Sequence, residues 1–315
     1  MTQAAGAIKR RLQSLKDIRH LLRSIRAMSA IRWRRARMRV RSAEEYAGAV
    51  DQQLALATTF ATALTRGARY AAERGATTTS RSAAGIARES IGLITLTSDR
   101  GLCGAFNVGL VAHALDFIAL HKEHEIKIIA LGGYGERLFR RAGTELLYTQ
   151  RFPFTHAVSF VEAREITAKI KGYYEAGTFD SLYLIYNQFV SFGRYRRVEM
   201  RLLPPDLTAI WRSVRDASVE GQDLVPEDLI LGTPPQNLQD FLLSEHLTVQ
   251  IYLALIESMV SEESARLQTM DAAITNLDDR VQGLQLQYHG IRQESITQQV
   301  LEVQRNARGR RMNGS

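Results

Sequence analysis

Two parts of this 315-residue sequence have residue types and spacing that could carry out chemistry, and the first is its one cysteine. Cys103 lies in a glycine-rich loop after an apolar run, and His113 follows farther along. A catalytic cysteine needs a base in contact and a group that stabilises an oxyanion, and the sequence carries no signature of either. A single thiol also forms neither an intramolecular disulfide nor a thiolate metal site. The pattern therefore favours a structural role for Cys103 in a tight loop.

The second part is the glycine-rich run LGGYGERL at 131–138, which follows an apolar run and opens a helical pattern. It partly matches a dinucleotide-binding fingerprint, but Leu138 stands where the third glycine belongs, and no acidic residue is placed to hold a ribose.

His121 and His124 are three residues apart, yet no third ligand is indicated. We therefore expect a plain strand–turn–helix, a solvated pair of histidines and no bound cofactor.

The charge pattern is more informative, because the net charge is +8 and the N-terminal segment is strongly basic. Such a helix binds nucleic acid or an acidic protein surface. An apolar stripe runs through the same segment and the C-terminal segment is comparatively acidic, which favours protein partners. No run of about 18 apolar residues is present, so no direct membrane insertion is expected. The basic residues are Lys9, Arg10, Arg11, Lys16, Arg19, Arg23, Arg26, Arg32, Arg34, Arg35, Arg37, Arg39 and Arg41.

Both ends of the chain carry apolar residues every 3.5 positions on average, which is the heptad pattern of a coiled coil. Long helices gain most of their stability by packing an apolar face, so we expect the two ends to pair as an antiparallel coiled coil. The alternative is that each packs against other chains. In the C-terminal stripe His246 and Glu263 are polar. The clearest stripe residues are Ala36, Val40, Ala43, Ala47, Val50 and Leu54 at one end and Leu242, Val249, Ile256, Val260, Leu267, Met270 and Val281 at the other.

The middle of the chain alternates short apolar runs with helical patterns, which indicates a small α/β domain with a mostly parallel sheet. Strands are predicted at 91–97, 126–131, 181–186 and 196–203, and helices at 108–122, 135–142 and 159–174. The predicted organisation is an N-terminal helix at 1–66, a loop at 67–90, the α/β domain at 91–204, a linker at 205–236, and a C-terminal helix with a basic tail at 237–315.

Four separated segments match one family in order: IKRRLQSLKDIRHLLRSIRAMSAIRWRRAR (8–37), SDRGLCGAFN (98–107), SEESARLQTMDAAITN (261–276) and IRQESITQQVLEV (291–303). Together they resemble the gamma subunits of F-type rotary ATP synthases and ATPases. The sequence departs from the family pattern at Ile25, Ala105 and Phe106, and it ends in the basic tail RNARGRRMNGS. These departures indicate a divergent bacterial branch.

The resemblance implies a non-catalytic rotor subunit that couples ion flow through a membrane ring to ATP synthesis or hydrolysis. The implied fold is α plus α/β, a long antiparallel coiled coil with an inserted Rossmann-like domain. The implied partners are the alpha and beta subunits of the catalytic hexamer, an epsilon subunit and the membrane c-ring, and no nucleic acid. The implied location is the cytoplasmic face of the bacterial inner membrane, as a peripheral protein. The alternative is a basic coiled-coil scaffold or nucleic-acid-binding protein with an α/β insert.

The resemblance also assigns two groups of site residues. The first would contact the catalytic hexamer, through weak exposed ion pairs that exchange as a rotor turns; Arg34 and Arg35 are the leading candidates. Its members are Ile25, Arg26, Arg34, Arg35, Arg266, Arg292, Gln293 and Thr297. The second is a loop of the α/β domain formed by Ser98, Asp99, Arg100, Gly101, Cys103 and Gly104.

Overall fold

The computed structural model of the protein describes residues 2–72, 89–152, 158–217 and 235–312. They form two compact units. Residues 1–31 and 266–315 make up the first, and residues 32–265 make up the second. The two terminal helices contribute to both units: α1 spans Thr2–Ala72 and α6 spans Pro235–Met312. Pro235 is the first residue of α6, where a missing backbone N–H costs no helical hydrogen bond.

In the first unit the two helices pair antiparallel. Arg19 on α1 places Nη1 2.8 Å from Oδ1 of Asp278 on α6. Arg26, two turns farther along α1, pairs with Asp271, two turns earlier on α6. Because the contact that comes later on α1 comes earlier on α6, the two helices run antiparallel. Leu12, Met270 and Val281 are buried, as the heptad pattern predicts.

In the second unit the same two helices also pair antiparallel. Three buried apolar clusters lie along the pair. From one cluster to the next, the residue numbers increase on α1 and decrease on α6. Small side chains dominate on α1, which lets the two backbones approach closely. The clusters join Ala36 and Ala43 with Ile256 and Val260, Ala47 and Val50 with Val249, and Leu54 and Ala57 with Leu242.

The two polar members of the C-terminal stripe each meet a charged residue of α1. His246 Nδ1 lies 2.6 Å from Asp51 Oδ1. Glu263 Oε1 lies 3.7 Å from Arg32 Nη1. A polar pair within an apolar seam forms only in one axial alignment, because a shifted register buries a charge against apolar atoms. These two pairs therefore favour the observed register of α1 and α6 in this unit.

The second unit also contains a five-stranded sheet in the order β3-β2-β1-β4-β5. Strands β1 to β4 are mutually parallel and β5 pairs antiparallel with β4. The strands are β1 Ser90–Leu96, β2 Glu125–Leu131, β3 Leu146–Gln150, β4 Ser181–Ser191 and β5 Arg194–Leu203. The connecting helices are α2 Phe106–Leu120, α3 Gly133–Arg141 and α4 Phe160–Glu175, and α5 Leu207–Ala217 follows the sheet.

Both faces of the sheet are covered at its centre, which explains why β1, β2 and β4 are almost continuously apolar. Ile91 and Leu93 of β1 face one core with Leu110 of α2 and Phe139 of α3. Ile94 and Leu96 face the other core, which includes Ile166 of α4 and Leu247, Ile251 and Leu255 of α6. Successive residues of β1 thus point to opposite cores, and α6 packs directly on one face of the sheet.

A buried carboxylate joins α6 to the sheet on that face. Glu257 is 7% exposed and accepts a hydrogen bond of 2.7 Å from the Tyr186 hydroxyl of β4. Gln188 Nε2 donates to its other oxygen at 3.5 Å, and Arg196 of β5 donates to Gln188 at 2.8 Å. Burial raises the pKa of the Glu257 carboxyl, and the hydrogen bond from Tyr186 opposes that rise. Burial and the nearby carboxylate raise the pKa of Tyr186.

The structure adds two elements to those predicted from the sequence. Strand β3 lies at the sheet edge, all five of its residues are only partly buried, and its apolar run is short. Helix α5 lies within the predicted linker 205–236. Its residues Leu207 and Ile210 pack against the last cluster of the helix pair. Of the predicted loop 67–90, residues 67–72 continue α1 and residues 73–88 lie outside the described residues.

Candidate functional site

The predicted loop 98–104 follows β1 and is anchored by the carboxylate of Asp99. Asp99 Oδ1 accepts a hydrogen bond of 2.6 Å from the backbone N–H of Gly133, the first residue of α3. Asp99 Oδ2 accepts one of 2.7 Å from the N–H of Phe152, which follows β3. The N-terminus of a helix carries partial positive charge, so a carboxylate is stabilised there. One side chain thus links the ends of β1 and β3 to the start of α3.

The glycines of the 131–138 run permit a close approach to β1. Gly132 has φ 112°, and a Cβ there would lie 2.0 Å from the carbonyl oxygen of Thr97. Gly135 donates its N–H to Thr97 Oγ1 at 2.9 Å, and a Cβ on it would lie 2.6 Å from that oxygen. In nucleotide-binding folds a phosphate accepts the N–H groups at such a turn. Here Thr97 and Asp99 accept them, as expected for a plain strand–turn–helix.

Cys103 belongs to a small buried polar network in the same loop. Asn107 Nδ2 donates to Cys103 Sγ at 3.3 Å and to Ser98 Oγ at 2.7 Å, and its Oδ1 accepts the Ser98 N–H at 2.9 Å. The thiol is buried, and Cys103 clusters with Phe106. His113 does not face it, because His113 Nε2 lies 2.8 Å from Glu199 Oε1. This geometry supports the structural role expected for Cys103.

His121 and His124 follow helix α2 and lie three positions apart. His121 Nδ1 lies 2.9 Å from the Phe117 carbonyl oxygen, and the rings of His121 and His124 are 6.1 Å apart. Within the part of the chain that the structure describes, no three His, Cys, Asp or Glu residues are grouped to hold a metal ion.

Three arginines of α1 in the first unit are paired within the chain. Arg19 and Arg23 face Asp278, and Arg26 faces Asp271. These side chains are partly exposed, so each pair contributes only about 0–1 kcal/mol. Arg26, one of the predicted contact residues, therefore has an internal partner that an outside carboxylate would have to replace. Its neighbour Ile25 is partly buried.

Four arginines of α1 in the second unit differ in this respect, whereas Arg32 and Arg41 of the same stretch pair with Glu263 and Glu45. Arg34, Arg35, Arg37 and Arg39 are exposed. Over residues 2–72, 89–152, 158–217 and 235–312, no carboxylate pairs with any of them. The Arg37 guanidinium instead lies 5.2 Å from the ring centre of Trp33. The predicted contacts Arg34 and Arg35 thus carry exposed positive charge that no described carboxylate neutralises.

The predicted contacts on α6 divide by exposure. Arg292 and Gln293 are exposed, and Thr297 Oγ1 donates to the Gln293 carbonyl oxygen at 2.9 Å. Gln293 and Thr297 are one turn apart and share a helix face. Arg266 is different, because only 3% of it is exposed. Its burial suits support of the fold more than direct contact with another subunit.

Comparison with known proteins identifies the family. The profile of the ATP synthase family matches residues 5–308 of the chain. The chain belongs to the ATP synthase gamma-chain family. The gamma chain of Desulfitobacterium hafniense is 26% identical over 300 residues, covering 95% of this chain and 96% of the relative. That of Chlorobaculum tepidum is 29% identical over 304 residues, covering 94% and 95%.

Solved structures share the fold of this gamma-family chain. A rotor chain of the Euglena gracilis mitochondrial ATP synthase superposes with a TM-score of 0.61 at 17% identity, covering 94% of this chain and all of that one. A chain of the Tetrahymena thermophila central stalk and c-ring gives 0.56 at 20% identity, with 80% and 99% covered. The family assignment drawn from the four sequence segments and the predicted fold are thereby confirmed. No helix among the described residues is both long and apolar enough to cross a membrane.

The sequence did not reveal some residues of this gamma-family chain that determine which arginines of α1 lack a partner within the chain. Asp271 and Asp278 neutralise three arginines of α1, but only the acidic character of the C-terminal segment pointed to them. The bridging role of Asp99 was also missed, although Asp99 was included in the loop. The ion pairs could have been found from the register of the antiparallel helix pair, because it places Arg19 opposite Asp278 and Arg26 opposite Asp271. The two backbone partners of Asp99 had no sequence signal.

Proposed function

We propose that the chain is the central-stalk rotor subunit of a rotary ATP synthase or ATPase. It couples ion flow through the membrane ring to ATP synthesis or hydrolysis in the hexamer of alpha and beta subunits. The α/β domain sits with an epsilon subunit on the c-ring, at the cytoplasmic face of a bacterial inner membrane. The observation that supports this assignment most directly is that Arg34 and Arg35 of this gamma-family chain are exposed and have no carboxylate partner among the described residues.

The mechanism is mechanical, and the chemistry of ATP belongs to the hexamer. Each unit charge that crosses the membrane through 100 mV supplies about 2.3 kcal/mol to turn the ring. The paired terminal helices turn with it and present different side chains to each catalytic site in succession. A site changes conformation because the rotor contacts one of its states better than another.

Arg34 and Arg35 supply the contacts that steer this exchange, by meeting acidic side chains of the catalytic subunits. Arg26 contacts a catalytic subunit only after its ion pair with Asp271 breaks. Its contribution to binding therefore depends on the loss of that pair. Arg292, Gln293 and Thr297 contact the hexamer from α6. Exposed ion pairs are worth about 0–1 kcal/mol each, so contacts of this kind guide the rotor without holding it at one angle.

The test is assembly and coupling of the full complex with the double variant Arg34→Gln/Arg35→Gln. The matched control is Arg141→Gln/Arg212→Gln, which removes two charges that are also exposed and without an ion pair among the described residues. Two exposed contacts sum to at most about 2 kcal/mol, so we expect the affinity for the hexamer to fall by at most roughly 30-fold. ATP-driven ion pumping should fall with it, while the control stays near the unaltered chain.

Two results would contradict the proposal. If the double variant and the control bind the hexamer equally well, the arginine contacts are wrong. If the unaltered chain does not assemble with alpha and beta subunits and instead binds DNA with a steep salt dependence, the nucleic-acid-binding alternative is correct.

A further inference from the structure

The last two strands of the sheet extend beyond their neighbours. The pairing of β4 with β1 ends at Ile185, whereas the pairing of β4 with β5 continues to Ser191. Residues 186–198 therefore form a two-stranded arm. At about 3.3 Å per residue, the arm reaches roughly 20 Å past the last pairing with β1. A two-stranded hairpin is only marginally stable in water by itself, so the elements that touch the arm must hold it in place.

One side of the arm is hydrogen-bonded to α6 at both of its ends. At its base, the Tyr186 hydroxyl donates to the buried Glu257 carboxylate at 2.7 Å. At its tip, the N–H of Gly193 donates to Ser264 Oγ at 2.7 Å, and Ser264 is buried. Glu257 and Ser264 are about two turns apart on α6. The arm thus lies along α6 over this distance.

The tip of the arm also reaches α1. The pairing of the two strands shifts between Phe189 and Ser191, and such irregularities redirect side chains. Phe189 packs on the buried cluster that joins α1 to α6. In the turn, the Phe192 ring meets the Trp33 ring of α1 edge to face, with ring centres 5.7 Å apart and an angle of 86°. Two-residue turns favour Asn, Asp and Gly, so contact with α1 explains Phe192 better than the turn does.

The two terminal helices differ in how they meet the sheet. Helix α6 contributes Leu247, Ile251 and Leu255 to the core on one face of the sheet. Among the described residues, none of that core comes from α1. Helix α1 meets the α/β domain through the tip of the arm and through Tyr46, whose ring centre lies 5.9 Å from that of Phe160. A twist of the sheet therefore reaches α6 through the core, and it reaches α1 largely through the arm.

We infer that the arm is a strut that carries torque from the sheet to both terminal helices, and that Phe192 is the residue by which it engages α1. The inference rests on the proposed function and assigns a positioning residue to it. Coupling between separated parts of a protein is carried by packed side chains and rigid elements. Without the Phe192 contact, a turning α/β domain drives α6 directly and α1 mostly through α6. The helix pair then twists farther under the same load.

The experiment measures the torsional stiffness of the full chain assembled with alpha and beta subunits from the same organism. Cys103 is buried, so a cysteine introduced at the exposed Lys122 gives an accessible attachment point for a magnetic bead on the α/β domain. The hexamer is fixed to a surface without ATP turnover, and the angular fluctuations of the bead give the stiffness. Phe192→Ser should lower the stiffness by up to about half, because one of the two helices loses its direct contact.

Three further variants identify the cause of that loss. Ser264→Ala removes the acceptor of the Gly193 N–H and should also lower the stiffness. Phe192→Tyr keeps the ring and should match the unaltered chain. Phe241→Ser is the matched control, because Phe241 is 63% exposed on α6 in the same compact unit, and it should leave the stiffness unchanged. Thermal unfolding and hexamer affinity are measured for each variant, because a strut lowers the stiffness while both stay near the values of the unaltered chain.

The strut is wrong if Phe192→Ser is as stiff as the unaltered chain, or if Phe192→Tyr loses as much stiffness as Phe192→Ser. Either result leaves the rotor function intact. Failure of the unaltered chain to assemble with the hexamer would instead contradict the rotor function itself.

Discussion

Replacement of Tyr186 by phenylalanine tests how α6 is attached to the sheet. The Tyr186 hydroxyl donates a 2.7 Å hydrogen bond to Glu257, whose carboxylate is buried. Among the described residues, no cation lies within ion-pair distance of Glu257. A hydrogen bond to a buried charged group contributes about 1.5–3 kcal/mol. We therefore expect Tyr186→Phe to lower the free energy of unfolding by about 2 kcal/mol near pH 8. For a unit of about 150–250 residues this corresponds to a fall of roughly 4–8 °C in Tm.

The pH dependence of this loss identifies its cause. Burial raises the pKa of Glu257 above its value in the unfolded chain, so the ionised carboxylate lowers stability as pH rises through the folded-state pKa. Between the pKa of Glu257 in the unfolded chain and its pKa in the folded chain, the free energy of unfolding falls by up to about 1.4 kcal/mol per pH unit. Tyr186 stabilises the ionised form, and its contribution is therefore present above the folded-state pKa and lost below it. The difference between Tyr186→Phe and the unaltered chain should grow as the pH is raised from about 4.5.

The assay is thermal or urea unfolding of the full chain at several pH values. Tyr183→Phe is the matched control, because Tyr183 lies on the same strand and its hydroxyl makes no hydrogen bond with the described residues. The control should change the free energy of unfolding by less than about 0.5 kcal/mol. A loss for Tyr186→Phe that is the same at every pH, or equal to that of the control, would refute the reasoning.

Two further substitutions test the glycine turn and the register of the helix pair. Gly132→Ala should cost about 3 kcal/mol or more, because the new Cβ would lie 2.0 Å from the Thr97 carbonyl oxygen and φ is 112°. Gly172→Ala, in α4 with open space around it, should instead raise stability by about 0.5–1 kcal/mol, and equal losses for the two would contradict the packing argument. Asp51→Ala should cost about 1–3 kcal/mol because His246 then lacks its charged partner. The cycle with His246→Leu should show a coupling energy above 0.5 kcal/mol, and additive effects would mean that the pair does not interact.

Local periodicity in the sequence was sufficient to predict the helix pair and most of the sheet. The spacing of Ala36, Ala43 and Leu54 matches a buried helical face, and all three are buried. The runs that became β1, β2 and β4 are apolar because both of their faces are covered. In each case the signal lies within a few residues of the chain. Such signals do not depend on which distant segment the element finally meets.

Contacts between distant residues could not be predicted in the same way. The partners of Arg26 and Asp99 are 245 and 34 residues away or more, and neither is marked by a motif. Arg34 is available because none of the described carboxylates of α6 pairs with it. Strand β3 contains an apolar run of only three residues, which is too short to identify a strand, and it pairs with the distant strand β2. The ion pairs and hydrogen bonds of the candidate site could therefore be identified only from the structure.

The pairing of Arg19 with Asp278 also has a consequence for biosynthesis, because 259 residues separate them. A ribosome that adds about 5–20 residues per second needs roughly 13–50 s to complete that interval. During this time the N-terminal half of α1 has emerged while the part of α6 that packs against it has not been translated. A nascent helix of this kind exposes its alanine- and leucine-rich stripe to chaperones and to other nascent chains. The rate of translation, and not only the final stability, thus bears on the yield of correctly assembled protein.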